Sequence, residues 1–345
     1  MLNKLELILA NKIDDADKPT RDYSVDVSSF RYRSCNIRLI GTASKFTVSI
    51  EGMEEAALYE ISRLIIHLVF IAQGKFATIA NVYMNDNDIT EEVKSQQFFR
   101  LEKTAELFNR KFFVFANIDD SIINRKVLNT LNRLVRSTGV LPLFSLENIM
   151  SESYREITID NKLNLLLQAC EGIWNEIYRM DKKQNSNGKY DNIHLIDKFA
   201  DVFSVLTNHS SRFSEFLKYI PRGFGRTKNR FFKALVDTRD DSTHFYKAID
   251  KFDKNRKKTR KKTGSYMRID NKRNYIFLVN LYAVSAACRL RVLNHLGIVP
   301  DNTAVSEMLY VLRDYMYDFD CELNGKERDV EEYKSDAYNI MNLWK

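Results

Sequence analysis

Between Tyr275 and Leu296 the chain has neither proline nor glycine and is apolar on most sides of a helical projection. A helix that shows hydrocarbon all round has to be surrounded by protein, because any wetted face would leave large side chains in water. The segment therefore predicts the central member of a helical bundle, ended by Gly297 and Pro300. The stretch before it supplies neighbours for that helix. From about Ser151 onward the apolar positions recur at helical spacing: Asp160 is placed to cap a helix through Leu163, Leu166, Leu167, Cys170, Ile173, Trp174 and Ile177, which the polar insert Asp181 to Asn187 ends. A second helix is read from Ile193 to Leu206, a third through Phe231, Leu235 and Val236, and a last one from Ala304 to Tyr317.

Upstream the period changes. Phe46, Val48 and Ile50 alternate with Lys45, Thr47 and Ser49, the signature of a half-buried strand. From Glu54 onward Leu58, Ile61, Leu64, Ile65 and Leu68 return to helical spacing. Phe30 to Leu39, Thr78 to Tyr83 and Phe112 to Ala116 read as further strands, and Asp120 to Arg136 as an amphipathic helix closed by Gly139. The expectation is an α+β fold: a mixed α/β region over residues 1–152, then an all-α bundle over residues 153–345. With 4 prolines and 11 glycines, long structureless tracts are disfavoured.

A net charge of +7 favours polyanionic partners without identifying one. Cys35, Cys170, Cys288 and Cys321 lie far apart with no Cys-x-x-Cys pair, so neither a zinc site nor a disulfide scaffold is expected, and reduced, buried thiols fit a cytoplasmic protein. The first residues reach Asp14 and Asp15 without the apolar core of a secretory signal. Leu64 to Ala72, interrupted by His67, is too short to span a bilayer, which needs roughly 20 residues. No membrane association is expected.

Chemistry enters at Arg239 and His244, separated by the wholly polar Asp240-Asp241-Ser242-Thr243. RNA carries its own nucleophile, the 2′-hydroxyl, so a cleaving protein has to move a proton and stabilise a phosphorane of increased negative charge. An imidazole titrates near neutrality and a guanidinium offers forked donors to phosphate oxygens, which suits this pair to RNA cleavage without a metal or cofactor. A second arginine, Arg289, precedes His295 at similar spacing, but Leu290, Val292, Leu293 and Leu296 surround it, and it reads as packing or helix-end chemistry. Positions five apart on a regular helix point roughly 140° from one another. Either the chain leaves helical geometry between Asp240 and Thr243, or Arg239 and His244 meet partners from a second protomer across a two-fold interface.

The run Thr238-Arg239-Asp240-Asp241-Ser242-Thr243-His244-Phe245 resembles the signature of HEPN ribonucleases, and most of all that of the ApeA-like group of bacterial anti-phage proteins, where Arg-Asn and Thr-His-aromatic bracket two variable residues. Leu165 to Gly172 is similar to the first HEPN helix of that group, with Glu171 after an apolar run. The likeness covers the C-terminal half, and Asp240 stands where the group usually has asparagine. It implies a HEPN-like bundle, a homodimer with the active site at its interface, 2′,3′-cyclic phosphate products, and abortive defence in which a toxic nuclease answers to a phage-derived trigger or a neutralising partner. His244 would shuttle the proton, Arg239 hold the phosphate, Asp240 orient one of them, and Glu171 hold Arg239.

Lys251 to Arg273 is the most basic stretch of the chain and reads as a loop between helices. Lys254, Arg256, Lys257, Lys258, Arg260, Lys261 and Lys262 are its candidates for RNA contact, with Tyr246, Phe252 and Tyr266 available to stack on bases. The alternative to an endoribonuclease is a non-catalytic helical module that uses this stretch to bind a nucleic acid or a nucleotide.

Overall fold

The structure is a computed structural model that describes residues 2–10, 25–41, 45–73, 79–95, 114–136, 159–181, 193–220, 227–243 and 266–324. The N-terminal part is built on a six-stranded antiparallel sheet of β1 (Asn3–Ala10), β2 (Val25–Tyr32), β3 (Cys35–Gly41), β4 (Lys45–Gly52), β5 (Ile79–Met84) and β6 (Asn87–Asp88) in the order β2-β3-β4-β1-β5-β6. β1 pairs with β4 on one side and β5 on the other, so the chain crosses over β1 between them, through α1 (Glu55–Gln73). Alternation fixes the register. Leu39, Val48, Leu7 and Val82 fall in one row across four strands, and Ile37, Ile50, Leu5 and Met84 in the next, all buried. A one-residue slip would turn both rows to solvent. Gly52 is required by close approach: a Cβ there would lie 2.6 Å from Cys35 Sγ.

α2 (Thr90–Ser95) and α3 (Arg125–Arg136) complete this part, and the bundle follows as α4 (Ile159–Asp181), α5 (Leu195–Val202), α6 (Ser204–Asn208), α7 (Ser210–Tyr219), α8 (Lys228–Thr243), α9 (Tyr266–Leu296) and α10 (Asn302–Asn324). The fold is thus mixed α+β, with many helices after the sheet. α9 is the central helix: Val284, Ala287, Cys288, Leu290 and Leu293 are buried, and it packs on α4, α10, α6 and α1. Its end is a Schellman closure, with Gly297 at φ 77 and Ile298 N donating to Leu293 O at 2.9 Å. Among the described residues no helix is long and apolar enough to cross a membrane.

Several expectations are corrected. Phe30 to Leu39 is a hairpin rather than one strand, because Arg33 takes a left-handed φ of 53 and turns β2 into β3. Of Phe112 to Ala116, residues 114–116 form no strand: Phe115 N donates to Ala72 O (2.8 Å) and Phe115 O accepts from Asp301 N (2.7 Å), so its polar groups go to the last turn of α1 and to the segment before α10. The helix read from Asp120 starts at Arg125, since Asp119 accepts the Ser121 and Ile122 amides in a turn and Asn124 Oδ1 caps Val127 N at 3.0 Å. The helix from Ile193 to Leu206 is broken at Phe203, which sits at ψ 0. The expected loop ends earlier than Arg273, because residues 266–273 are the first turns of α9; Met, Arg and Lys are good helix formers, and the last glycine before them is Gly264. The expected boundary at 152 and the closing Gly139 lie outside the described residues.

Candidate functional site

α4 carries two stripes. Leu163, Leu166, Cys170, Ile173 and Ile177 are buried against the bundle, while Glu171, Trp174, Asn175 and Tyr178 follow one another at i, i+3, i+4 and i+7 along an adjoining face. α5 lies along that second stripe, seated by the buried Phe199 and Val202. α8 is anchored by Phe231, Phe232 and Leu235, and the rings of Phe231 and Phe232 meet Phe203 in edge contacts at 5.6 and 5.5 Å between centroids. That anchorage carries Arg239, one turn further on, to α4.

Glu171 and Arg239 form an ion pair at 3.1 Å between Oε2 and Nη2. The other carboxylate oxygen, Oε1, accepts from Lys198 Nζ at 3.1 Å. Lys198 also donates to Asn175 Oδ1 at 3.0 Å and stands 5.3 Å from the centre of the Trp174 ring, which stacks on Tyr178 at 4.6 Å. Trp174 Nε1 donates to Asp201 Oδ2 at 2.8 Å, and Arg291 of α9 reaches the same oxygen at 3.3 Å. One connected polar belt therefore joins α8, α4, α5 and α9. Arg239 and Lys198 both bind Glu171, Arg291 binds Asp201, and the Arg239 side chain is 27% exposed, so the belt ends in a guanidinium held by a carboxylate yet open to water. Such a group suits a phosphate oxygen.

Beside the belt, the thiol of Cys170 is fully buried and pushed up by that burial and then by its hydrogen bond with Cys288, which makes it a poor nucleophile. Arg289, next on α9, is 2% exposed. It donates through Nε to Ile71 O (2.9 Å) and through Nη2 to Ala72 O (3.1 Å), the last carbonyls of α1, and its guanidinium lies 4.5 Å from the Phe115 ring centre. Burial lowers its pKa to about 9, which leaves it charged at neutral pH. Arg289 thus packs, as expected from its apolar surroundings, but the helix end it serves is that of α1 rather than of its own helix, and it ties the bundle to the sheet part.

α8 stays helical through Thr243, so a departure from helical geometry between Asp240 and Thr243 is not what the chain does. The backbone of Asp240 belongs to that helix. His244, Tyr246 and Phe252 lie outside the described residues, as do Lys254, Arg256, Lys257, Lys258, Arg260, Lys261 and Lys262. Lys198, Asn175 and Asp201 were not singled out from the sequence. The usable signal was the aromatic and polar stripe on α4, which a purely apolar reading of that helix passes over. Among the described residues no group of three or more His, Cys, Asp or Glu side chains is arranged to hold a metal ion. The chain matches no protein-family model, no curated protein and no solved structure.

Proposed function

We propose that the protein is a metal-independent endoribonuclease of HEPN type, with Arg239 and His244 as its catalytic pair. The observation that carries this reading is the 3.1 Å contact by which Glu171, from the helix that opens the bundle, holds Arg239 at a part-exposed surface. In the reaction the 2′-oxygen attacks the adjacent phosphorus and the bond from phosphorus to the 5′-oxygen breaks. His244 handles the proton that leaves the 2′-hydroxyl or the one that reaches the 5′-oxygen; Arg239 stabilises the extra phosphorane charge. The products are a 2′,3′-cyclic phosphate and a 5′-hydroxyl. The proposal includes a homodimer whose two protomers share the site, an arrangement consistent with α8 being helical through Thr243. A cytoplasmic anti-phage role, with a trigger or a neutralising partner, follows from the resemblance alone.

The test is incubation of the purified protein with mixed cellular RNA in chelator, beside His244→Ala and Arg239→Ala. Cleavage to cyclic phosphate ends by the native protein, absent in both variants, is the expected result. Cleavage by His244→Ala overturns the assignment. RNA binding with no cleavage by any of the three identifies a non-catalytic binding module instead.

A further inference from the structure

α3 breaks a rule of helix electrostatics that nothing in its packing requires. Its first turn holds Arg125 and Lys126 and no acid, although the positive end of the helix dipole disfavours cations there. The apolar side is complete: Val127, Leu128, Leu131 and Leu134 are buried, and Tyr32 of β2 donates to Leu128 O. On the other side Arg125, Lys126, Asn129, Arg133 and Arg136 are all exposed or part-exposed and, at about 100° per residue, fall within an arc roughly 100° wide. Among the described residues Arg125, Lys126 and Arg133 have no ion-pair partner, and Arg136 shares Glu60 with Arg33. Asp119, which accepts from the Ser121 and Ile122 amides, and Asp120 are the exposed acids just before the helix.

A second departure points to the same place. Arg33 occupies a left-handed turn position that favours glycine or asparagine. Its guanidinium is laid along α3, bonded to Glu60 and donating to Asn132 Oδ1 at 2.9 Å. The β2–β3 turn thus places Arg33 beside α3, where it and Arg136 share Glu60 while Arg125, Lys126 and Arg133 add positive charge to the same helix. Cations clustered on one exposed helix face are the electrostatic footprint of a polyanion partner.

We infer that the exposed face of α3 binds the phosphodiester backbone of the RNA, as a holding surface separate from Arg239. That the polyanion is RNA rests on the function proposed above; that it is a polynucleotide rests on charge complementarity along the helix. A membrane surface fits less well, because the apolar side chains of α3 are all committed to the core and none is left to insert.

The experiment uses the full chain and a fluorescent 2′-O-methyl RNA 20-mer, which has no 2′-hydroxyl to attack. Its affinity is followed by anisotropy over a range of salt concentrations. The variant Arg125→Gln/Lys126→Gln/Arg133→Gln is compared with a control of equal charge, Arg31→Gln/Arg38→Gln/Lys218→Gln, whose exposed positions lie on β2, β3 and α7. The α3 variant is expected to bind about tenfold more weakly near 0.15 M salt and to lose about 2 from the slope of log affinity against log salt, while the control keeps most of both. A DNA strand of the same sequence is expected to behave alike, since phosphate contacts carry no ribose information. The single variant Arg133→Gln, expected to lose roughly 0.7 of the slope, serves if the triple variant melts early. Unchanged binding by the α3 variant, or an equal loss in the control, overturns the inference. So does a loss of binding to phosphatidylserine vesicles with RNA binding intact. Absence of cleavage by the native protein would remove the catalytic reading while leaving this binding comparison to be decided on its own.

Discussion

Two arginines, each with a histidine a few positions downstream, sit on neighbouring parts of the bundle and do opposite things. Arg239 of α8 faces a carboxylate at a surface where water and a ligand can reach it; Arg289 of α9 faces two main-chain carbonyls where neither can. The difference comes from the residues on the C-terminal side of each arginine. Arg239 is followed by a wholly polar spacer, whereas Leu290, Val292 and Leu293 are buried and hold α9 inside. The motif alone does not distinguish the two arginines; the apolar content of the spacer does.

The sharpest way to break this contrast is to exchange the expected losses. Arg239→Ala and His244→Ala should each lower RNA cleavage by at least about 10²-fold. Arg239→Ala should change unfolding free energy by no more than about 1 kcal/mol, the worth of a part-exposed ion pair. A large drop in stability with cleavage retained would make Arg239 a second strut. Arg289→Met should do the reverse, costing about 3 kcal/mol in urea unfolding, because the Ile71 and Ala72 carbonyls lose buried donors and the core loses packing. Its folded fraction should cleave RNA at the native rate.

The pH dependence of that variant sharpens the comparison. A cation whose folded pKa lies below its unfolded one makes the fold gain stability as pH rises through the folded value, here about 9. The native protein should therefore gain on Arg289→Met above pH 9, while the difference between them stays level from pH 5 to 8. A slope in the neutral range would show that another group is responsible. Next in size, Glu171→Gln keeps the shape but releases the guanidinium, and kcat/KM should fall about tenfold with unfolding changed by about 1 kcal/mol or less. The smallest effect is expected of Lys198→Met, a loss of a few-fold in kcat/KM through Glu171, largely restored by Lys198→Arg. Equal kinetics in the two Lys198 variants would detach that residue from the site.

Much of the sheet part was legible because its burial follows a simple period. Phe46, Val48 and Ile50 announce β4, and the spacing from Leu58 to Leu68 announces α1. β1 was not read, although Leu5, Leu7 and Leu9 alternate, since Ile8 and Ala10 blur the pattern. The turn at Arg33 was hidden because no glycine or asparagine marks it. α7 escaped notice because its buried Phe213, Phe216 and Leu217 come closely after the break at Phe203. In the candidate site, Arg239 stood out from its own chemistry and Glu171 through the resemblance alone. Lys198 and Asp201 had no local signal, since their meaning comes from the docking of α5 on α4.

The bond from Arg289 to Ile71 O spans 218 positions of sequence, which sets an order of events during synthesis. At about 5–20 residues per second, roughly ten to forty seconds pass between the emergence of the Ile71 carbonyl and the arrival of the guanidinium that donates to it. Over that interval the nascent chain carries an unfinished seam. Ribosomes stalled before and after codon 289 should differ in how readily a protease cuts at the end of α1.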